Sequence, residues 1–285
     1  MTVQLRAPDV VLRAAATVGE GPVWDARSGR FCWVDLAEGT LFESDIETGD
    51  TMSTGTGTLL GAAVPRASAE GFAVAVSDGF GLLVGGVLTV VDPVLPEPGL
   101  RMNDGKCDAS GRFWAGSNAL DFGDGEGRLH VWSNDGPSTV EAEGLTLPNG
   151  LGWTADSTTM YLDDSMRRLM LRASFDVHAG TVGAFTTAFD ITGGLPDGLA
   201  VDVDGCIWVA VWGGSEVRRY RPDGTLDAVI AMPVSQPSSC AFGDDGALYI
   251  TSASAGIDPA REPLAGSVFA LATTTHGVPV AAFAG

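Results

Sequence analysis

GEGPVWDARSGRFCWVD, from Gly19 to Asp35, is the first of six related phrases in this chain. The phrase runs from a polar residue through a short apolar stretch and an Asp/Gly turn into an alternating apolar strand. The other copies are AVPRASAEGFAVAVSDG from Ala63, NDGKCDASGRFWAGS from Asn103, PNGLGWTADSTTMYLDDS from Pro148, PDGLAVDVDGCIWVAVW from Pro196 and PSSCAFGDDGALYITSA from Pro237. A repeat of about 40–50 residues that contains several short strands is typical of a β-propeller.

The repeats predict an all-β, six-bladed β-propeller in which residues 1–285 form a single domain. The strands predicted after each turn are Arg30–Asp35, Gly71–Ser77, Arg112–Gly116, Thr159–Asp163, Cys206–Val211 and Ala247–Thr251. The strands predicted to follow them are Thr40–Asp45, Gly81–Leu83, Arg128–Ser133, Arg168–Phe175, Glu216–Arg221 and Ser267–Ala272. The opening run Val10–Val18 precedes the first copy, and we expect it to pair with the last blade and close its edge.

Aligning the turns of the six copies identifies one equivalent position in each blade. The aligned turn residues are Gly29, Gly71, Gly111, Gly205 and Gly246, with Ser157-Thr158 in the fourth copy. The equivalent positions are Glu20, Ala63, Asn103, Asn149, Asp197 and Ser238. Because the innermost strand of each blade starts at the same end of the central channel, these residues are expected to form a ring around the axis.

Four members of this ring carry a carboxylate or an amide, which points to a cation site. Two carboxylates and two amides at a channel mouth repel one another and are poorly solvated unless a positive charge lies between them. Oxygen ligands without Cys or His favour a hard divalent cation over a structural zinc. The alternative is that Asn149-Gly150 and Asp197-Gly198 are turn dipeptides that only cap their strands.

Several phrases together resemble those of the gluconolactonase, regucalcin and luciferin-regenerating-enzyme family, over almost the whole chain. They are GEGPVWD from Gly19, RMNDGKCDASGRFWAGS from Arg101, LPNGLGW from Leu147 and PDGLAVDVDGCIWVA from Pro196. The resemblance implies a six-bladed propeller with one catalytic divalent metal in its central channel. It also implies metal ligands at Glu20, Asn149 and Asp197, and substrate contacts from Arg101 and Asn103.

The chain departs from the family pattern at Ser117-Asn118 and in the second blade. Where lactone-hydrolysing relatives commonly have Thr-Met and then an acid, this chain continues Asn118-Ala119-Leu120-Asp121, so Asp121 is the candidate for that acid. Ala63 offers no polar group, which is compatible with a substrate that carries fewer hydroxyl groups than gluconolactone.

The resulting hypothesis is a metal-dependent lactonase acting on a sugar or small-molecule lactone. A cation, most simply Ca²⁺ with Zn²⁺, Mg²⁺ or Mn²⁺ as alternatives, would polarise the lactone carbonyl, and Asp197 would assist attack by water. Two other classes remain open: a different reaction at the same metal, such as phosphotriester hydrolysis or a non-hydrolytic condensation, and a calcium-binding propeller without catalysis. A Ser-His-Asp triad is not expected, because His130, His178 and His276 lie in outer strands or loops.

The composition bears on partners and location. With 36 acidic and 16 basic residues the net charge is −20, which disfavours binding to nucleic acid or to an anionic membrane. Cys32, Cys107, Cys206 and Cys240 are expected to be buried thiols rather than disulfides. The start of the chain does not resemble a signal peptide, so we expect a cytoplasmic protein whose partner is a small-molecule lactone and which is a monomer or a weak homo-oligomer.

Overall fold

The computed structural model describes residues 2–95 and 98–285, which form six separate β-sheets. Two short strands precede the first repeat: β1 (Val3–Leu5) and β2 (Asp9–Leu12). Blade 1 contains β3 (Gly19–Asp25), β4 (Arg30–Asp35), β5 (Thr40–Ser44) and β6 (Thr51–Gly55). Blade 2 contains β7 (Leu60–Pro65), β8 (Phe72–Val76), β9 (Gly79–Val84) and β10 (Val87–Asp92).

The remaining blades follow the same order. Blade 3 contains β11 (Leu100–Cys107), β12 (Phe113–Ala119), β13 (Gly127–Ser133) and β14 (Gly136–Leu145). Blade 4 contains β15 (Pro148–Trp153), β16 (Thr159–Asp164), β17 (Leu169–Asp176), β18 (Thr181–Val182) and β19 (Thr186–Asp190). Blade 5 contains β20 (Leu195–Val201), β21 (Ile207–Trp212), β22 (Glu216–Tyr220) and β23 (Leu226–Ala231). Blade 6 contains β24 (Pro237–Phe242), β25 (Ala247–Ser252) and β26 (Val268–Ala272).

The first strand of each repeat lies innermost, and these six strands form a closed circle. Each of β3, β7, β11, β15, β20 and β24 contacts the next in this order, and β24 returns to contact β3. Six clusters of buried apolar side chains hold the circle together, one between each pair of neighbouring blades. The predicted all-β, six-bladed propeller is therefore confirmed.

The turn that defines the repeat has the same backbone shape even where the glycine is missing. The aligned glycines have positive φ angles, for example +77° at both Gly111 and Gly246. Ser157, which takes their place in blade 4, has φ +55°. Residues with a Cβ rarely adopt this left-handed conformation, so the alignment of Ser157 with the turn glycines is supported by the structure.

The N-terminal strand closes the last blade, as predicted, but it is shorter than the predicted run Val10–Val18. The strand β2 pairs antiparallel with β26, with Val10 opposite Phe269, and supplies the outer strand of blade 6. Beyond β2, the contact continues through a hydrogen bond from the Ala16 N–H to the Gly266 carbonyl and an isolated bridge from Val18 to Ala253. The strand β1 pairs in parallel with β23 and adds a fifth strand to blade 5, which the repeat pattern did not predict.

The C-terminal segment, residues 273–285, crosses the end of the channel at which the inner strands finish. The Val278 N–H donates to the Val201 carbonyl of blade 5 at 2.8 Å. Further along, the N–H groups of Phe283 and Ala284 donate to Pro65 O of blade 2 and Gly111 O of blade 3. Phe283 is 1% exposed, so the segment is anchored on both sides of the channel.

The cysteine prediction is also confirmed, since the four cysteines are free and buried. Among residues 2–95 and 98–285, no helix is long and apolar enough to cross a membrane.

A buried aspartate braces the repeated turn in blades 3 and 5. Asp202 accepts the Trp208 indole N–H and the Arg219 Nε–H, each at 2.8 Å, while its other oxygen accepts two backbone N–H groups of the turn. Asp108 makes the equivalent bonds in blade 3. Both carboxylates are fully buried, so the bonds that they accept replace the water lost on folding.

Replacing Asp202 with Ala is expected to lower the free energy of unfolding by about 3–5 kcal/mol, because the buried Trp208 indole N–H and two backbone N–H groups of the turn lose their acceptor. Asp258→Ala is the control, since the Asp258–Arg261 pair spans 3.8 Å at the surface and its removal is expected to cost less than about 1 kcal/mol. Denaturant unfolding of both variants measures the difference, and equal losses would contradict the bracing role.

Candidate functional site

The ring predicted from the repeats lies at the end of the channel where the inner strands begin, here called the ring end. Glu20, Asn103, Asn149 and Asp197 are buried there, with 4–7% of each residue exposed. In each of these strands the pairing register shifts beside the ring residue, as between Pro148 and Leu151 in blade 4. Such a bulge leaves a residue outside the regular ladder, which frees the ring residue from facing a neighbouring blade.

One direct contact joins the ring residues of blades 4 and 5. The Asn149 amide nitrogen donates a hydrogen bond to Asp197 Oδ1 and another to Ser165 Oγ, the latter at 3.1 Å. Ser165 is 2% exposed and follows β16, so it fixes the Asn149 amide from behind. The repeat pattern did not assign this role to Ser165.

Burial and nearby negative charges disfavour the ionised forms of the two ring carboxylates. Burial, followed by the negative charges of Asp197 and Asp104, raises the pKa of Glu20 well above its ordinary value. Burial, followed by the charges of Asp104 and Asp163, likewise raises the pKa of Asp197. A positive charge between the carboxylates would remove this penalty, which is the electrostatic condition for a cation site.

Arg101 and Asn103 form a second polar group beside the carboxylates. One Arg101 Nη donates to Asn103 Oδ1 at 2.7 Å and to the Met102 carbonyl at 3.1 Å. The Asn103 amide nitrogen donates to Pro148 O at 3.0 Å and so ties blade 3 to blade 4. The Arg101 charge opposes the rise in the pKa of both Glu20 and Asp197, which places the guanidinium within electrostatic reach of them.

The structure corrects the ring position in blade 2. The register shift there falls between Leu60 and Ala62, so Gly61 rather than Ala63 is equivalent to the other ring residues. Ala63 belongs instead to the apolar cluster between blades 1 and 2. The degenerate blade-2 copy was aligned two residues too late, but the inference that this sector lacks a polar side chain holds for Gly61 too.

Ser238, the sixth ring residue, is engaged in holding the propeller closed. Its hydroxyl donates to the Gly19 carbonyl of blade 1 and lies 3.0 Å from Thr251 Oγ1. Ser238 is fully buried, so it joins the last blade to the first.

Asp121 lies on the same side of the propeller but is not brought into the ring. It follows β12, whose last residue, Ala119, pairs with Leu100 immediately before Arg101. The residue is exposed, its Oδ1 accepts the Gly123 N–H at 3.1 Å, and it lines a cavity of about 360 Å³ together with Leu100. Its role as a substrate contact stays a prediction.

A buried carboxylate behind the ring, Asp163, was missed as a site residue. Asp163 pairs with Met170 on β17 and alternates with Tyr161, and both of these pack against blade 5, so Asp163 faces that blade. By strand register, the equivalent residues of the other blades are small, apolar or neutral: Val34, Ala75, Gly116, Ala210 and Thr251. Asp163 is 0% exposed, and neither of its oxygens has a hydrogen-bond partner among the described residues.

The neighbouring Asp164 has a structural role instead. Its two oxygens accept the N–H groups of Thr146 and Leu147, at 3.0 and 3.1 Å. Asp164 therefore caps the turn before β15, while Asp163 faces the inter-blade space beneath the ring.

A buried Ser–His contact exists, but it does not form a triad. His130 Nε2 lies 2.9 Å from Ser117 Oγ, and both residues are 1% exposed. The other ring nitrogen of His130 has no hydrogen-bond partner among residues 2–95 and 98–285, so no carboxylate orients the imidazole. Burial, with the Arg128 charge, lowers the pKa of His130 to about 4, which makes it a weak base.

The candidate metal ligands fit a hard cation by chemistry, although they are few. In the part of the chain that the structure describes, no group of three or more His, Cys, Asp or Glu side chains is arranged to hold a metal. The predicted set is of a different kind, with two carboxylates and one amide from Glu20, Asp197 and Asn149. Hard divalent cations take such oxygens and complete their coordination with water or substrate.

The family model that matches this chain is that of the SMP-30/Gluconolactonase/LRE-like region, and it matches residues 18–254. Two relatives match over more than nine tenths of both chains. A pentonolactonase from Haloferax volcanii is 33% identical over 94% of this chain and 95% of its own length. A regucalcin from Danio rerio is 31% identical over 92% of both chains.

A solved structure shows the same architecture. The calcium-binding protein regucalcin from Agrobacterium tumefaciens superposes with a TM-score of 0.92 at 28% identity, covering 100% of this chain and 99% of its own. The resemblance inferred from the motifs is confirmed by these comparisons.

The buried charge of Asp163 leads to a prediction about stability. Burial, followed by the charges of Asp104 and Asp164, raises the pKa of Asp163 well above its ordinary value. The folded protein therefore binds this proton more tightly than the unfolded chain, and stability is lost as the pH rises above about 4, the ordinary aspartate pKa. In the presence of EDTA, Asp163→Asn should raise the melting temperature by roughly 2–4 °C at pH 8.

The gain should vanish near pH 4, where the carboxyl is neutral in both states. Asp156→Asn is the matched control, because hydrogen bonds from Thr154 and Thr158 lower the pKa of Asp156 and its replacement should not stabilise the protein at pH 8. Scanning calorimetry measures both, and a lower melting temperature for Asp163→Asn at pH 8 would contradict the interpretation.

Proposed function

Because this chain belongs to the SMP-30/gluconolactonase/LRE-like family, we propose that it hydrolyses a sugar or small-molecule lactone with the help of one divalent cation. The observation that carries the proposal is the pair of buried carboxylates at the ring end, Glu20 and Asp197, flanked by Arg101. A pentonolactonase among the relatives supports a lactone as the substrate class.

We propose Glu20, Asn149 and Asp197 as the cation ligands. The Asn149 amide nitrogen bonds to Asp197 and Ser165, so its oxygen is the atom left to coordinate a cation. Ca²⁺ is the first choice, because the regucalcin of A. tumefaciens is described as calcium-binding, with Zn²⁺, Mg²⁺ or Mn²⁺ as alternatives. When bound, the cation supplies Lewis acidity that polarises the lactone carbonyl.

Asp197 is the proposed general base. Burial raises the pKa of Asp197 in the cation-free protein, but a bound cation would lower it again, so Asp197 would be a modest base. The Arg101 charge and the Asn149 N–H also lower this pKa and favour the ionised carboxylate that a base requires. After accepting the proton from the attacking water, Asp197 would release it to the departing alkoxide.

Arg101 and Asn103 are the proposed substrate contacts. Asn103 holds the guanidinium in place through its 2.7 Å bond, which limits the rearrangement needed when a substrate binds. The remaining N–H groups of Arg101 can donate to the acyl oxygen as it gains negative charge. Asp121, at the same end of the propeller, is the proposed partner for a more distant hydroxyl.

The blade-2 sector bears on the substrate. Gly61 has no side chain, and Ala62 and Ala63 follow it, so this sector provides no side chain that could bind a hydroxyl group. A lactone that places an apolar edge against blade 2 fits this surface better than one that is fully hydroxylated.

Calcium binding without catalysis is the second candidate, since regucalcins are among the relatives. It requires the same cation ligands but gives no task to Arg101, which loses solvation by its partial burial and has its pKa lowered as a result. An enzyme explains that cost, because the guanidinium is then needed for substrate.

Removal of the cation provides the first functional test. EDTA is expected to abolish lactone hydrolysis, measured by acid release in a pH-stat over a panel of aldonolactones, and added Ca²⁺ should restore it. A parallel panel of phosphotriesters identifies a different reaction at the same site. Full lactone turnover in EDTA would show that no cation takes part.

Asp197→Asn tests the proposed base. The amide keeps the shape of the side chain but cannot accept a proton, so kcat should fall by about 10²–10⁴. Asp258→Asn, an exposed surface change, serves as the control and should leave kcat unaltered. If the Asp197 variant still binds Ca²⁺ in a calorimetric titration yet keeps its full kcat, Asp197 is not the base.

A further inference from the structure

Trp212 is a half-buried tryptophan at the ring end. It is the last residue of β21 in blade 5. Five of the other six tryptophans are buried, and the sixth, Trp24, stacks on Tyr249 at the opposite end of the channel. A large aromatic side chain that stays partly open beside buried polar groups is suited to contact a ligand, because aromatic side chains commonly line small-molecule sites.

Strand pairing places Trp212 beside a ring residue. In blade 5 it pairs with Leu195, which lies two residues before Asp197. Ser165 holds the equivalent position in blade 4, since its N–H donates to the carbonyl of the residue two before Asn149. The Ser165 hydroxyl lies 3.1 Å from the Asn149 amide nitrogen, so this position contacts the ring residue of its own blade. By the same register, Trp212 lies next to Asp197.

The Trp212 side chain lies on the face of blade 5 that is turned toward blade 6. Side chains alternate along a strand, and Trp208 and Ala210 on the same face belong to the apolar cluster between these two blades. Trp212 is the next residue on this face, where the strand reaches the ring end. The segments beside it are Gly193-Gly194, before β20, and Gly213-Gly214, after β21, and they offer no side chains that could cover the indole.

Arg101 lies at the same level of the channel as Trp212. It is two residues before the ring residue Asn103, just as Leu195, the pairing partner of Trp212, is two residues before Asp197. Blade 4 separates blades 3 and 5, so the guanidinium and the indole approach the channel mouth from different sides. A molecule bound above the ring therefore meets hydrogen-bond donors on one side and an aromatic surface on another.

The other residues at this level, here called the outer level, are mostly apolar. They are the residues two before each remaining ring position: Val18, Leu59, Leu147 and Gln236. Val18, Leu59 and Leu195 are half-buried, whereas Leu147 is buried. Among the six inner-strand residues of the outer level, only Arg101 and Gln236 have polar side chains. The walls above the ring thus provide a few polar contacts and a larger apolar surface.

We propose that Trp212 is a substrate-binding residue that packs against one face of the lactone ring while Arg101 binds the acyl oxygens. This inference rests on the lactonase function proposed above and adds the way in which the ring is recognised. The face turned toward Trp212 carries C–H groups instead of hydroxyls. Hydrolysis opens the ring and removes that flat face, so Trp212 favours the substrate over the open-chain hydroxy acid.

Kinetics of Trp212 variants provide the first test. For the aldonolactone that the wild type hydrolyses fastest, Trp212→Ala is expected to raise KM by about tenfold to a hundredfold, because the apolar contact is lost. The kcat should change by less than about threefold, since the contact holds ground state and transition state alike. Trp212→Phe keeps a flat ring and should stay within about fivefold of the wild-type KM. Trp24→Phe is the matched control and should leave KM unaltered.

A binding experiment reports the contact directly. In the presence of Ca²⁺, protein labelled with 5-fluorotryptophan should give one ¹⁹F signal for each of its seven tryptophans, and Trp212→Phe and Trp24→Phe each assign one of them. The probes are 2-pyrrolidinone and 2-piperidinone, lactams that keep the lactone ring shape but resist hydrolysis. At least one of them should shift the Trp212 signal saturably and leave the Trp24 signal in place. The open-chain 4-hydroxybutyrate and 5-hydroxyvalerate should bind at least about fivefold more weakly.

The outcomes separate this inference from the proposed function. If lactones are hydrolysed and KM is the same in Trp212→Ala as in the wild type, the lactonase proposal stands and the role of Trp212 is excluded. A Trp212 signal that neither lactam shifts would likewise remove the ring contact, and equal binding of the open-chain acids would remove the preference for a ring. If no lactone of the panel is hydrolysed, the proposed function fails and this inference fails with it.

Discussion

The repulsion between buried carboxylates at one end of a narrow channel is the constraint on which the candidate site depends. Burial and the charges of Asp197 and Asp104 disfavour ionisation of Glu20, and burial and the charges of Asp104 and Asp163 disfavour ionisation of Asp197. A chain that folds in spite of such a cost must offset it elsewhere or bind something that relieves it. In this propeller the apolar clusters between blades offset the cost, and the oxygens of the ring are suited to a cation that would relieve it.

Closure of the circle is what keeps the carboxylates together. Ser238 joins the last blade to the first, and Asn103 and Asn149 join blades 3, 4 and 5 through hydrogen bonds close to the ring. At the opposite end, Asp108 and Asp202 brace the repeated turns. The ring residues therefore cannot move apart to reduce their repulsion without opening an inter-blade interface.

Much of this arrangement follows from the repeats, because a residue's place in a radial repeat fixes its distance from the axis. Four polar ring residues were located in this way, and the structure puts each of them at the same end of the channel. The alignment failed in blade 2, where Gly61, Ala62 and Ala63 give no polar marker and the register was set two residues too late. The alignment could not reveal that Asp163 is buried without a hydrogen-bond partner among the described residues, because its burial depends on which face of β16 packs against blade 5. The parallel strand β1 and the C-terminal segment lie outside the repeats, so the periodic pattern carries no information about them.

The inner strand of blade 3 carries charges of both signs along the channel. In β11 the residues Arg101, Asn103, Asp104 and Lys106 occupy successive levels of the channel, so positive and negative groups alternate along its axis. The Lys106 charge partly offsets the effect of burial on the pKa of Asp104, and the Asp104 charge does the same for Lys106. Because the inner strands are closely packed, a shift of one of them would move its ring residue together with the residues further along the channel.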